Sequence, residues 1–107
     1  MAVLVIPGLK SGNDKSYKTT VDTFAKQAFA TVKYVLQFIK DNEYYSSELT
    51  VLNDTGDLHA SESNIVSNTE NNLANVSFEE NAGIISLCVT PVISPVTVRY
   101  YRTALKQ

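Results

Sequence analysis

The spacing of apolar residues between Val21 and Asp41 is the feature that most constrains how this chain can fold. Apolar side chains recur at intervals of three and four residues, at Val21, Phe24, Ala25, Ala28, Val32, Val35, Leu36 and Ile39. This is the periodicity of one face of an α-helix. Thr19 or Thr20 can cap the start, and Asp22 and Lys40 have the charges that a helix dipole favours at its two ends. The segment is therefore predicted to be a helix of about five to six turns.

The predicted helix has a charged face and a wide apolar face. Lysines recur every seven residues on the charged face, at Lys26, Lys33 and Lys40. Phe29 and Phe38 flank the apolar residues and make that face wider than a sheet usually covers. We expect Val32 and Leu36 to be buried against a sheet, and the wide apolar face favours an additional contact with a partner.

Extended segments make up much of the remaining chain. They are rich in β-branched and aromatic residues and comprise residues 3–6, 48–53, 75–80, 83–93 and 96–105. Pro7-Gly8 has the residue types of a turn after the first segment. Ser94-Pro95 is expected to connect the last two segments as an antiparallel hairpin, and Pro91 is expected at a strand end or edge.

These elements predict a single α+β domain spanning residues 1–107. In this prediction one long helix packs on a mostly antiparallel sheet of four to six strands.

Asp54-Thr55-Gly56 resembles the tripeptide that carries the catalytic carboxylate in aspartic proteases. The loop of that family has apolar residues before the aspartate and a small residue after the glycine, whereas this chain has Asn53 and Asp57 at those positions. A two-fold pair of such loops would also bring four carboxylates together, which costs on the order of several kcal/mol. Asn, Asp and Gly are typical turn residues. The segment is therefore predicted to be a turn.

Residues 61–75 contain five Asn, three Ser and one Thr. This composition is typical of a loop, because it offers little apolar surface to bury. The apolar exceptions Ile65, Val66 and Leu73 either pin the loop or form a short edge strand.

His59 and Cys88 are the residues of this chain that could suggest a metal or thiol site. His59 has Asp57 and Glu62 nearby in sequence, but there is no second histidine, so solvent exposure is expected. Cys88 is the single cysteine and lies in an apolar run, so it is predicted to be a buried small hydrophobe. The sequence predicts no catalytic residue, no cofactor and no metal site.

Charge is distributed unevenly along the chain. Residues 1–40 contain six Lys and two Asp, residues 41–80 contain nine acidic residues and no Lys or Arg, and the whole chain has a net charge of −2. Opposite charges can meet within one molecule or between copies. The absence of clustered arginine disfavours nucleic acid as a partner. No apolar run reaches the roughly 18 residues of a membrane span, and the start lacks the basic region of a signal peptide. A cytoplasmic or virion location is expected.

Composition favours a structural role. Ser, Thr and Asn account for 29 of 107 residues, which together with the charge distribution suggests a non-catalytic subunit of a larger assembly. Examples of such subunits are components of phage or virus particles, such as capsid-stabilising or tail proteins. The expected partners are copies of the chain or other subunits. The alternative is a small cytosolic enzyme or ligand-binding domain that uses the helix-sheet crevice, with Arg99, Tyr100, Tyr101 and Arg102 as contacts.

Overall fold

The fold is a two-layer β-sandwich in the computed structural model of the chain. The structure describes residues 2–6, 18–54, 57–92 and 95–106. Within them the chain forms eight strands: β1 (Ala2–Ile6), β2 (Thr19–Ala25), β3 (Phe29–Lys40), β4 (Glu43–Asp54), β5 (Asp57–Ser67), β6 (Ala74–Asn81), β7 (Ile84–Pro91) and β8 (Val96–Lys106). None of the described residues belongs to a helix that could cross a membrane.

The strands form two antiparallel sheets. The five-stranded sheet has the order β1-β8-β3-β4-β5, and the three-stranded sheet has the order β2-β7-β6. Strands β3, β4 and β5 follow one another as hairpins, as do β6 and β7. The other connections cross from one sheet to the other. Two sheets built in this way enclose a single core between their facing sides.

The predicted helix over Val21–Asp41 is wrong, and with it the α+β fold class. The segment forms β2 and β3, which lie in different sheets. In β3, seven of the twelve residues are β-branched or aromatic, the types that fit a pleated sheet. Its inward side chains alternate with half-buried or exposed ones, and those at Val32, Tyr34, Leu36 and Phe38 are at most 2% exposed. The predicted burial of Val32 and Leu36 is confirmed.

The chain passes from β2 to β3 through the three residues 26–28. The amide of Ala28 donates to the carbonyl oxygen of Ala25 at 3.0 Å, which closes the turn, and the amide of Lys26 donates to the carbonyl oxygen of Gly83 at 2.8 Å. Lys26, expected on the charged face of a helix, therefore lies at the corner of the sandwich. The lysines spaced seven residues apart therefore do not lie on one face of a helix.

Both sheets contribute to the core. Its central side chains have almost no exposed surface and come from β3, β4, β7 and β8, with Leu73 from the connection before β6: Val32, Tyr34, Leu36, Phe38, Val51, Leu73, Ile85, Leu87, Val89, Val96 and Val98. Cys88 is a free thiol with 1% of its surface exposed, so its predicted burial is confirmed. Burial of this apolar surface is the main favourable term in folding.

The extended segments predicted outside the supposed helix all correspond to strands. Residues 3–6, 48–53, 75–80, 83–93 and 96–105 fall within or largely within β1, β4, β6, β7 and β8. Pro91 is the last residue of β7, as expected. Pro7-Gly8 lies outside the described residues.

The hairpin predicted between β7 and β8 is wrong. β7 pairs with β2 and β6, whereas β8 pairs with β1 and β3. Each of these apolar strands lies between two neighbours in its own sheet, and the connection containing Pro95 crosses between the sheets.

The loop predicted for residues 61–75 is wrong over much of its length. Residues 61–67 belong to β5, and β6 begins at Ala74. The edge-strand alternative for Ile65 and Val66 is confirmed, because β5 is the outermost strand of its sheet. Backbone pairing with β4 orders this strand although its composition offers little apolar surface.

The short connection between β5 and β6 is held by side-chain hydrogen bonds. Asn68 accepts from the amide of Tyr44 at 2.7 Å and donates from Nδ2 to the carbonyl oxygen of Asn42 at 2.9 Å. Thr69 Oγ1 donates a hydrogen bond to the Glu43 carboxylate at 2.6 Å. This hydrogen bond is the main reason why the pKa of Glu43 is lowered. Asn and Thr therefore order this segment through polar contacts within the chain.

The uneven charge is offset within the molecule. Lysines of the first 40 residues form salt bridges with glutamates of residues 41–80: Lys18 with Glu79, Lys26 with Glu80 at 2.9 Å, and Lys33 with Glu48 at 2.8 Å. These three pairs offset part of the acidic charge of residues 41–80.

Candidate functional site

The side chains of the predicted contact residues Arg99, Tyr100, Tyr101 and Arg102 are divided between two faces, and the first three border one pocket of about 190 Å³. They are consecutive on β8 and therefore alternate between its two faces. Tyr100 and Arg102 point toward β2, where the Tyr100 hydroxyl donates to the carbonyl oxygen of Val21 at 2.7 Å and Arg102 Nη1 donates to Asp22 Oδ2 at 2.9 Å. Arg99 and Tyr101 are exposed on the outer face of the five-stranded sheet. The contact surface expected from sequence is divided between the interior and the exterior.

Asp22 joins the two sheets. Its Oδ2 atom accepts from the Tyr34 hydroxyl at 2.7 Å and from Arg102 Nη1 at 2.9 Å. Burial, followed by the hydrogen bond to Asp22, raises the pKa of Tyr34 well above its ordinary value. The Arg102 guanidinium also lies 5.4 Å from the centroid of the Phe29 ring. These polar groups satisfy one another between β2, β3 and β8, so the arrangement stabilises the sandwich.

The other residues considered from sequence lie apart. Asp54, at the end of β4, is opposite Asp57 at the start of β5, and Thr55 and Gly56 lie outside the described residues. β4 and β5 pair antiparallel, and the predicted turn itself falls outside the described residues. The exposure of His59, on β5, is confirmed. Among the residues that the structure describes, no group of three or more His, Cys, Asp or Glu side chains could hold a metal ion.

A cleft opens between β5 of one sheet and β6 of the other. Its volume is about 370 Å³, and its lining includes Phe38, Tyr45 and Leu49 as the floor, Ala60, Ser61 and Glu62 on one side, and Asn72, Ala74, Asn75, Val76 and Phe78 on the other. The volume is in the range of ligand pockets, about 300–1,000 Å³. The described residues contain no helix, so this cleft replaces the helix-sheet crevice expected from sequence.

The floor of the cleft is aromatic. The Phe38 and Tyr45 rings are stacked, with centroids 5.8 Å apart and planes inclined by 13°. Phe78, from β6, contributes to the opposite wall and lies 6.3 Å from the Tyr34 ring, centroid to centroid. Flat apolar surfaces of this kind bind apolar or amphipathic groups well.

Glu62 is the charged residue of the cleft lining, which includes no Lys or Arg among the described residues. The Tyr45 hydroxyl donates to Glu62 Oε2 at 3.0 Å. Burial, followed by this hydrogen bond, raises the pKa of Tyr45 to about 12. Asn72 and Asn75 add amide groups at the rim, where Asn72 Nδ2 donates to Asn75 Oδ1 at 2.8 Å. The cleft thus offers an aromatic floor and acceptors suited to a cation.

Strand β5 is exposed along almost its whole length. It pairs with β4 alone, and ten of its eleven side chains are exposed. Ile65 and Val66 are apolar and have 54% and 71% of their surfaces exposed. The strand therefore presents a free backbone edge next to apolar side chains.

Sequence reasoning missed the cleft residues Tyr45, Glu62, Asn72 and Phe78. Tyr45 lies between the predicted helix and the extended segment predicted at residues 48–53, and Glu62 and Asn72 lie in the predicted loop. The available signal was the alternation Val32, Tyr34, Leu36, Phe38, which indicates a strand and places Phe38 on its buried face.

No protein-family model matches the chain, and no curated protein is similar enough to it to count as a match.

Proposed function

We propose that this protein is a non-catalytic subunit of a larger protein assembly, which it joins through the free edge of β5. The observation that supports the proposal is the exposure of β5, Asp57–Ser67, over almost its whole length. A strand paired on one side presents unpaired N–H and C=O groups to a strand of another chain. β5 contains neither Lys nor Pro, which commonly protect edge strands, and the irregularity in its pairing with β4 is a register shift between Ser46 and Glu48, opposite residues 63–66.

Ile65 and Val66 support the same role, because exposed apolar side chains at an edge gain from being covered by a partner. The partners are copies of this chain or other protein subunits. Membership of a phage or virus particle remains a prediction from composition.

A pair of lysine variants tests the role of β5. Val66→Lys places a charge on the edge strand, and Ile84→Lys makes the same change at an exposed position of β7, where Ile84 is 43% exposed. Tagged protein is purified from its source cells in each form, and the mass of the resulting complex is measured. We expect the wild type and Ile84→Lys to be found in a complex of defined stoichiometry, and Val66→Lys to be found as the monomer.

Circular dichroism of each variant confirms that the sandwich is intact before the masses are compared. A wild-type protein that is monomeric at every concentration in the source extract would refute the assembly role. A complex that Val66→Lys and Ile84→Lys retain equally would place the interface away from β5.

A further inference from the structure

We propose that the cleft between β5 and β6 binds an extended basic segment of a partner protein, which adds to the free edge of β6 as a fourth strand. This inference rests on the proposed function, since it specifies the chemistry of the partner. It concerns a second edge, on the three-stranded sheet, and is tested separately.

The two sheets are unequal in width, and this leaves room for the added strand. Three strands face five, and β6 pairs with β7 alone. The other side of β6 borders the cleft, where Ala74, Val76 and Phe78 lie opposite Tyr45 and Glu62. Neighbouring strands are about 4.8 Å apart, so a strand next to β6 would lie over the inner face of β4 and β5. The partner's segment would become a fourth strand of the three-stranded sheet, next to β6.

The lining of the cleft specifies the side chains of such a strand. Alternate residues of a strand point to the same face. Those directed inward would meet the aromatic floor of Phe38 and Tyr45, which favours aliphatic or aromatic groups. An inward residue near β5 would also reach the Glu62 carboxylate, which favours Lys or Arg.

The distribution of charge strengthens the preference for a basic segment. Apart from Phe38, the residues that line the cleft come from residues 41–80, which contain nine acidic residues and no Lys or Arg. The salt bridges of Lys18, Lys26 and Lys33 go to glutamates away from the cleft lining. Among the described residues Glu62 forms no salt bridge, and its recorded contact is the Tyr45 hydroxyl. We therefore assign the cation for this carboxylate to a basic residue of the partner segment.

Peptide binding to the isotopically labelled full chain tests the inference. The probe is a short capped peptide in which valine and lysine occupy successive alternate positions with serine between them, so that both residue types lie on one face of the strand, and the first control replaces its lysines by glutamate. The second control carries N-methyl groups on alternate residues, which removes backbone donors and keeps the side chains. We expect the lysine peptide to shift the amide resonances of Ala74–Phe78 and Ala60–Glu62, with affinity that falls as salt is raised. Neither control should bind comparably.

Two charge-matched variants locate the contact. Glu62→Gln removes the carboxylate of the cleft, and Glu79→Gln removes an exposed carboxylate that pairs with Lys18 away from the cleft. We expect Glu62→Gln to weaken binding of the lysine peptide by about threefold to fivefold, as for a partly exposed ion pair. Glu79→Gln should leave the affinity unchanged within about twofold.

Several results would overturn the inference. They are the absence of binding at millimolar peptide, equal binding of the glutamate peptide, equal binding of the N-methylated peptide, or equal effects of Glu62→Gln and Glu79→Gln. If the cleft fails these tests while Val66→Lys still dissolves the native complex, the assembly role stands and only the partner chemistry is wrong. If the peptide binds as expected while Val66→Lys has no effect, the cleft is a peptide site and the β5 interface is wrong.

Discussion

Asp22 and Tyr34 provide the most direct test of how the two sheets are joined. Tyr34 has no exposed surface, and its hydroxyl donates to Asp22 Oδ2 at 2.7 Å. Asp22→Ala removes that acceptor and leaves a buried donor, at a cost of about 1–3 kcal/mol. Loss of the Arg102 ion pair adds at most about 1 kcal/mol, because the Arg102 and Asp22 side chains are 31% and 20% exposed. We expect the free energy of unfolding to fall by about 1–4 kcal/mol in total.

A double-mutant cycle isolates the contact itself. Tyr34→Phe removes the hydroxyl and keeps the ring, so it should cost about 1 kcal/mol. The double variant should lose about 1–2 kcal/mol less than the sum of the single losses, because both single changes break the same hydrogen bond. Urea denaturation followed by circular dichroism gives the four free energies. A coupling energy below about 0.5 kcal/mol would refute the contact between Asp22 and Tyr34. Such a low value is what a helix would give, because these two residues would then lie about 18 Å apart.

Two further predictions concern β3 and the tyrosines. Leu36→Ala should lower the free energy of unfolding by about 2–5 kcal/mol because Leu36 is fully buried, whereas Lys33→Ala should lower it far less because the Lys33 side chain is 47% exposed. Comparable losses in urea melts would contradict the alternation of β3. The raised pKa values of Tyr34 and Tyr45 mean that the folded state holds these protons more tightly, so the associated stability is present below the ordinary pKa of 10.0 and is lost as the pH rises through that value toward about 12. Urea melts at a series of alkaline pH values should show this loss, and a constant free energy of unfolding over that range would contradict it.

The candidate site could be predicted only in part. The sequence indicates that Cys88 is buried and His59 exposed, because these outcomes depend mainly on residue type and immediate neighbours. The cleft could not be predicted in the same way. Tyr45 and Glu62 come from adjacent strands of one sheet, and Phe78 comes from the other sheet, so their proximity depends on how the sheets are paired and stacked.

The sequence by itself determined the short extended segments and much of the core. Val32 and Leu36 were placed inside correctly even though the secondary structure was wrong, because residues four apart share a face both on a helix and on a strand. The choice between helix and strand was decided by the tertiary structure, in which Tyr34 and Phe38 are buried beside them. Only pairing with β4 and β8 makes an alternating pattern more favourable than a helical one, since a strand gains its backbone hydrogen bonds from residues distant in sequence. For the same reason the sequence alone could not place the free edges of β5 and β6, where the proposed contacts lie.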